Sequence, residues 1–177
     1  TRDPHLVILG EAGGGKTTLV RWLITAYLDR KTGGSNWGHQ DSAGLPDEDW
    51  LPVLVRGRDL AGLEAADLEK LLQHVLERAE LHDTHAPTLA KTLVKRFEHG
   101  SALLVVDGLD EIANHTLRTH LLRLLNSLHK DYPKHPIVVT SRLTQYLVRD
   151  NRLPLTYQHA LLAHLDASQK DLLAKDW

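Results

Sequence analysis

The residues best suited to phosphate chemistry lie in one motif near the start of the chain. The motif consists of Gly10, Glu11, Ala12, Gly13, Gly14, Gly15, Lys16 and Thr17. This spacing, G-x-x-x-x-G-K-[ST], is typical of a loop whose glycines let backbone N–H groups surround phosphate oxygens at a helix N-terminus. We expect Lys16 to reach the β- and γ-phosphates, Thr17 to bind Mg²⁺ through its hydroxyl, and Thr18 to lie nearer the α-phosphate. The motif therefore predicts a nucleotide-binding protein.

A second candidate segment is an acidic cluster that follows the apolar run 102–106. Asp107 ends this run, so we expect its carboxylate to hold Mg²⁺, usually through a water, together with Thr17. Hydrolysis also needs a group that orients or deprotonates water, and many P-loop ATPases carry a Glu directly after the metal-site Asp. Here that position is Gly108. Either Asp110 or Glu111 could act instead if the chain turns back, although both acids would also suit the start of a helix without any catalysis.

A third candidate is Arg142, which follows the apolar run 137–139 and the hydroxyl residues Thr140 and Ser141. Its planar cation could sense a γ-phosphate and thereby distinguish a triphosphate from a diphosphate. An ordinary surface arginine is the competing interpretation.

These polar segments must be positioned by the apolar runs before them. Such runs occupy 6–9, 53–55, 102–106 and 137–139, and we expect a fifth short strand near 155–157. Their continuous apolar character is typical of strands buried on both faces. Segments with helical spacing separate them, at 19–28, 68–76, 89–97 and 117–128. Alternating strands and helices predict a parallel α/β sheet that binds its ligand at the carboxyl ends of the strands.

The composition excludes several other kinds of protein. The 177 residues suit one domain, and the absence of Cys removes thiolate catalysis, disulfides and Cys-based zinc sites. A formal net charge of −2 gives no general attraction for nucleic acid. No apolar run reaches the roughly 18 residues of a membrane span, so we expect a cytoplasmic protein without a membrane segment. The 12 His residues form no recognised metal motif, and we interpret them as surface residues.

Taken together, the three motifs resemble those of the NACHT family of signal-transduction P-loop NTPases. The distinguishing marks are the small residue Gly108 after the metal-site Asp and the displaced Asp110–Glu111 pair. The stretch 51–60, where a Pro-led apolar run precedes Arg-Asp-Leu, is similar to the family's second strand. The resemblance extends from about residue 5 to the end. It implies a three-layer, ASCE-type α/β fold whose five-stranded parallel sheet has the strand order 5-1-4-3-2 and is flanked by helices.

The resemblance also implies a function. In this family ADP holds a closed state, and exchange for ATP after a ligand is sensed permits assembly into a signalling homo-oligomer, in innate immunity or antiphage defence. It assigns phosphate and Mg²⁺ binding to Lys16 and Thr17, metal positioning to Asp107, slow ATP hydrolysis to Asp110 or Glu111, and sensing to Arg142. Residues 1–160 would form the nucleotide-binding core and residues 161–177 the start of a small helical domain. The activating ligand is unknown, and sensor and effector domains would lie outside this chain.

Other functions stay open at this point. An AAA-type ATPase acting on nucleic acid or protein clients shares the phosphate loop and the strand order, but would normally carry an acid at position 108. A small-molecule phosphotransferase is disfavoured because no Arg-rich lid follows the motifs. A Ras-like GTPase is disfavoured because the sequence has no Asn-Lys-x-Asp to read guanine.

Overall fold

One parallel sheet organises the part of the chain that the computed structural model describes, residues 4–32, 44–63, 67–79, 85–148, 152–164, 166 and 168–169. Its strands are β1 (His5–Gly10), β2 (Leu51–Arg56), β3 (Ala102–Asp107), β4 (Ile137–Arg142) and β5 (Gln158–Leu161). They lie in the order β2-β3-β4-β1-β5, and every neighbouring pair is parallel. The expected order 5-1-4-3-2 is therefore confirmed.

The helices also follow the predicted spacing. They are α1 (Lys16–Thr32), α2 (Leu68–Arg78), α3 (Ala86–Glu98), α4 (His115–Asp131) and the short α5 (Leu143–Tyr146). Helix α4 begins after Asn114, whose side-chain oxygen accepts a 3.1 Å hydrogen bond from the N–H of Leu117. Asp110 and Glu111 do not start α4 but lie in a short 3-10 helix, Leu109–Glu111, so the start of a helix does carry both acids.

The sheet has a separate hydrophobic core on each face. Along β3, Leu103 and Val105 face the core that contains Val20 and Tyr27 of α1. The alternate residues Leu104 and Val106 belong to the core formed by α2, α3 and α4. Strands β1, β3 and β4 are consequently buried on both faces, as their continuous apolar runs predict, whereas the edge strand β2 is only half-buried.

The fifth strand follows the predicted stretch 155–157 and begins at Gln158, three residues later than expected. Residues 155–157 form a turn that is closed by a 3.0 Å hydrogen bond from the N–H of Tyr157 to the carbonyl of Pro154. Leu155 is 95% exposed, whereas Tyr157 packs in the core and donates a 2.9 Å hydrogen bond to the carbonyl of Leu125. In this segment Tyr157 is buried as part of a turn and not as part of a strand. The strand itself, Gln158–Leu161, is exposed.

Three further expectations concern the histidines, the C-terminal segment and a membrane span. The prediction that histidines are surface residues is wrong for His5, which is fully buried against the ring of His129. The expected small helical domain at 161–177 lies mostly outside the described residues. Among the helices that the structure describes, none is long and apolar enough to span a membrane.

Candidate nucleotide-binding site

The phosphate loop connects strand β1 to helix α1 at the carboxyl edge of the sheet. Gly13 and Gly15 have φ angles of +73° and +89°, values that side-chain-bearing L-residues rarely adopt. The N–H of Gly14 donates a 3.1 Å hydrogen bond to the carbonyl of Glu11, which closes the turn. The loop therefore delivers the chain directly into the first turn of α1, where unpaired N–H groups attract anions.

Lys16 folds back over this loop. Its ammonium donates hydrogen bonds of 2.9 Å to the carbonyl of Gly10 and 2.7 Å to the carbonyl of Glu11. Both acceptors are neutral, and hydrogen bonds from an ammonium to charged phosphate oxygens are stronger than those to carbonyls. The lysine is thus held beside the loop, within the cavity where phosphates would bind.

Asp107 ends β3 with both carboxylate oxygens engaged by hydroxyl groups. Thr17 donates to Oδ2 at 3.0 Å, and Thr140 at the end of β4 donates to Oδ1 at 2.6 Å. The Thr140 hydroxyl in turn accepts a 2.9 Å hydrogen bond from the N–H of Gly108. These contacts join α1, β3 and β4 at one point, and Asp107 itself is only 8% exposed.

The turn after β3 brings Glu111 back beside the end of the strand. Gly108 has a φ of +76°, and its carbonyl accepts a 2.9 Å hydrogen bond from the N–H of Glu111. A Cβ placed on Gly108 would lie 2.9 Å from Cδ of Glu111 and 3.1 Å from Oε2. The Glu111 carboxyl therefore occupies space that a side chain at position 108 would need. The chain thus turns back toward the end of β3, which a catalytic role for Glu111 would require.

Asp110 of the same turn is committed to Arg142. The backbone N–H of Arg142 donates to Oδ1 at 2.9 Å, and its Nε lies 3.1 Å from Oδ2. The Asp110 side chain is 4% exposed, whereas that of Arg142 is 47% exposed. This pair links the turn after β3 to the end of β4 while leaving much of the guanidinium open to solvent.

These residues line one cleft of about 130 Å³. The predicted residues that border it are Ala12, Gly13, Gly14, Gly15, Lys16, Thr17, Asp107, Asp110, Glu111 and Arg142. Gly10 and Glu11 do not border it, but their carbonyls hold Lys16. Thr18 is exposed on α1 and lies outside the cleft lining.

Two contributors to the site were missed from the sequence. Thr140 belonged to an expected hydroxyl pair, but its bridge between Asp107 and Gly108 depends on the adjacency of β3 and β4. Gly57 follows β2, and a Cβ there would overlap the carbonyl oxygen of Gly108. A hydroxyl residue at the end of a strand next to an Asp-ended strand was a usable signal for Thr140, whereas nothing local marked Gly57.

The donor set fits a magnesium ion held partly by the nucleotide. The Thr17 hydroxyl and the Asp107 carboxylate are adjacent oxygen donors, and Mg²⁺ ordinarily takes one or two protein oxygens plus phosphates and waters. A cage made wholly of protein side chains is a different kind of site. Among the described residues, no three His, Asp or Glu side chains are grouped to form one.

Comparisons with known proteins identify the family and agree with the fold. The family model of the NACHT domain matches residues 5–177. A solved structure of a Walker-type ATPase from Pyrococcus abyssi is similar in fold, with a TM-score of 0.55 and 13% identity over 99% of this chain. The chain spans only 53% of that ATPase's length. A sequence search of curated proteins gives no match.

Proposed function

The chain belongs to the NACHT family and is a nucleotide-binding NTPase domain, and we propose that it acts as an ATP-controlled switch. In this proposal ADP and ATP bind with Mg²⁺, and slow hydrolysis returns the domain to its resting state. The observation that carries it is the convergence, in one cleft, of the phosphate-loop lysine, the Thr17–Asp107 pair and the Asp110–Arg142 pair.

Thr17 and Asp107 would hold the magnesium ion, which neutralises charge on the β- and γ-phosphates when it is bound. Within the part of the chain that the structure describes, the hydrogen-bond partners of this carboxylate are neutral hydroxyls, so its negative charge would be available to a cation. Thr140 fixes the carboxylate from the side of β4, which leaves Thr17 free to turn its hydroxyl toward a metal. Lys16 would move from its two carbonyl partners to the phosphate oxygens.

Glu111 is the better candidate for orienting or deprotonating the attacking water. Both carboxylate oxygens of Asp110 already hold Arg142, so this side chain is less available to a water molecule. Glu111 borders the same cleft and has no ion pair among the described residues. The Glu111 carboxyl lies where a side chain at position 108 would begin, and many P-loop ATPases carry a Glu at that position.

Arg142 would sense the γ-phosphate. Its backbone N–H and Nε are held by Asp110, so the guanidinium is positioned at the cleft without being fully used. A triphosphate offers charged oxygens that a diphosphate lacks at this position, and a guanidinium binds such oxygens through paired hydrogen bonds. Arg142 would then couple the end of β4 to the identity of the nucleotide.

Family membership supports a wider role in signalling. We propose that the longer protein assembles into a homo-oligomer when ATP replaces ADP, and that it serves innate immune or antiphage defence in the cytoplasm. The activating ligand, the sensor and the effector would belong to parts of the protein other than this domain. A ligand that shifts such a switch must favour one nucleotide state over the other.

Single-turnover hydrolysis of radiolabelled ATP tests the roles within the cleft. In Glu111→Gln we expect ATP binding to persist while the hydrolysis rate falls about 100-fold or more, the usual effect of losing a general base. Asp110→Asn keeps the hydrogen-bond acceptor for the N–H of Arg142 and serves as the matched control, with a fall of less than about tenfold. Unchanged hydrolysis in Glu111→Gln would contradict the assignment.

A further inference from the structure

A second cleft adjoins the phosphate cleft at the carboxyl edge of the sheet. It encloses about 170 Å³ and is lined by residues of helix α1 and strand β2. Thr17, Asp107 and Glu111 border both clefts, which therefore adjoin at the expected magnesium site. A small group released beside Glu111 could enter the second cleft without crossing the phosphate loop.

Three arginines distinguish this second cleft, which we call the arginine cleft. They are Arg21 on α1, Arg56 at the end of β2, and Arg58 in the turn that follows. Arg56 and Arg58 share the carboxylate of Asp59, with Nε–oxygen distances of 3.7 and 3.9 Å, which are longer than hydrogen bonds. Their guanidinium groups therefore keep most of their hydrogen-bonding capacity.

Arg21 adds a third positive charge. It is exposed, and within the described residues no carboxylate oxygen lies within 4.0 Å of its guanidinium. The two carboxylates that border the cleft, Asp107 and Glu111, are those needed at the phosphate cleft. The α1–β2 side of the arginine cleft thus carries an excess of positive charge.

Size and charge together select the kind of ligand. A cleft of about 170 Å³ is below the roughly 300 Å³ at which pockets for drug-sized molecules begin, so it suits a small ion and not a second nucleotide. Guanidinium groups pair well with tetrahedral oxyanions because their N–H donors form a planar fork. The rest of the lining is the apolar Val20, Ile24 and Leu54 and the hydroxyl residues Thr17 and Thr25, so the arginines supply all of the positive charge available to an anion.

We propose that the arginine cleft binds inorganic phosphate, and that it receives the phosphate released from ATP. This inference rests on the proposed ATP hydrolysis. In that reaction water attacks the γ-phosphorus, a new P–O bond forms to the water oxygen, and the bond to the ADP oxygen breaks. ADP keeps the electron pair of the broken bond, and Glu111 accepts a proton from water. The phosphate product then lies beside Glu111, at the junction of the two clefts.

In this proposal phosphate would leave by way of the arginine cleft while ADP stays bound. ADP would still occupy the phosphate loop, so the path back through the first cleft would be closed. The arginines would attract the dianion toward the α1–β2 side of the cleft, and the negative charge of Asp107 would repel it. Phosphate held there would slow its own release, and a slowly released product prolongs an intermediate state.

Titration of the ADP–Mg²⁺-loaded protein with inorganic phosphate, followed by phosphorus NMR, tests this proposal. The test variant is Arg21→Gln combined with Arg58→Gln, which removes charge while keeping long polar side chains. The control is Arg123→Gln, an exposed arginine on α4 that lines neither cleft. We expect phosphate affinity to fall about tenfold or more in the double variant, with ADP affinity within about twofold of the wild type and no change in the control.

Three results would overturn the proposal in different ways. ADP-loaded wild-type protein that does not bind phosphate, or a double variant that binds it equally well, would refute the phosphate site alone. Unchanged phosphate affinity together with weaker self-association of the double variant would assign the arginine cleft to acidic side chains of a second copy. Failure of the wild type to bind ADP would instead refute the proposed function, and this inference with it.

Discussion

Two buried carboxylates, at the end of β3 and in the turn that follows, are held by opposite kinds of partner. Asp107 accepts hydrogen bonds from the neutral hydroxyls of Thr17 and Thr140. Asp110 is paired with the guanidinium and the backbone N–H of Arg142. Hydroxyl donors orient a carboxylate without cancelling its charge, whereas a guanidinium balances that charge. The first arrangement suits the metal-binding role that we propose for Asp107, and the second holds Arg142 at the cleft.

The difference shows that distance along the sequence does not assign the roles of acidic residues in such a cluster. Asp107, Asp110 and Glu111 follow one strand within five positions and line the same cleft. Their functions separate only through what the neighbouring strand and helix bring to each carboxylate. The following substitutions test that separation, from the largest expected effect to the smallest.

Asp107→Asn should have the largest effect. The amide removes the negative charge that would help to hold Mg²⁺, so we expect Mg²⁺-dependent ATP hydrolysis to fall about 100-fold or more. Hydrolysis assays across a magnesium titration measure it. If Asp110→Asn caused the same loss as Asp107→Asn, the contrast between the two carboxylates would be refuted.

Gly57→Ala should disturb the same turn from the side of β2. The new methyl group would overlap the Gly108 carbonyl, and relief of that clash requires backbone movement. We expect the free energy of unfolding to fall by about 1–3 kcal/mol, as for other overpacked sites. Urea denaturation measures it, with Gly44→Ala as the control because a Cβ there meets nothing within 4 Å. Equal stability of the two variants would exclude a close contact between these loops.

Thr140→Val should have a similar or smaller effect. It keeps the side-chain shape but leaves the buried N–H of Gly108 without its hydroxyl acceptor, and it removes a donor to Asp107. We expect unfolding to become easier by about 1–3 kcal/mol, measured by chemical denaturation. Thr119→Val is the control, since that hydroxyl bonds an exposed helix carbonyl and its loss should change stability by less than about 0.5 kcal/mol.

Asp110→Asn should have the smallest effect on stability. The Arg142 side chain is 47% exposed and can be solvated when it loses its partner, so we expect a loss of about 1 kcal/mol or less. The informative readout is nucleotide discrimination. We expect the ratio of ATP to ADP affinity to change, because the guanidinium is no longer held at the cleft. An unchanged ratio would mean that Asp110 does not position Arg142.

The sequence predicted the fold well because its signals are local. Continuous apolar runs located four strands, and helical spacing located four helices, since burial on a particular face constrains each residue directly. The fifth strand was predicted three residues too early because Tyr157, which looked like a buried strand residue, packs in the core from the turn before the strand. The buried His5 was missed because a histidine in a strand gives no sign of the ring packed against it.

The candidate site was predictable only as a set of residues. The phosphate-loop spacing specifies its own geometry, so Lys16 and Thr17 could be assigned from the motif alone. The commitment of Asp110 to Arg142 and the role of Thr140 arise from strands that become neighbours only in the folded sheet. The arginine cleft is formed by side chains from α1, β2 and the turn after β2, and no short-range sequence pattern predicts that they lie together.

Calorimetric titration with ATP and with ADP in the presence of Mg²⁺, on the wild type, Lys16→Ala and Arg142→Ala, tests the central claim most directly. The account predicts that the wild type binds both nucleotides, that Lys16→Ala binds neither detectably, and that Arg142→Ala loses affinity for ATP only. Undiminished binding by Lys16→Ala, or equal losses for ATP and ADP in Arg142→Ala, would contradict a switch that senses the triphosphate at this cleft.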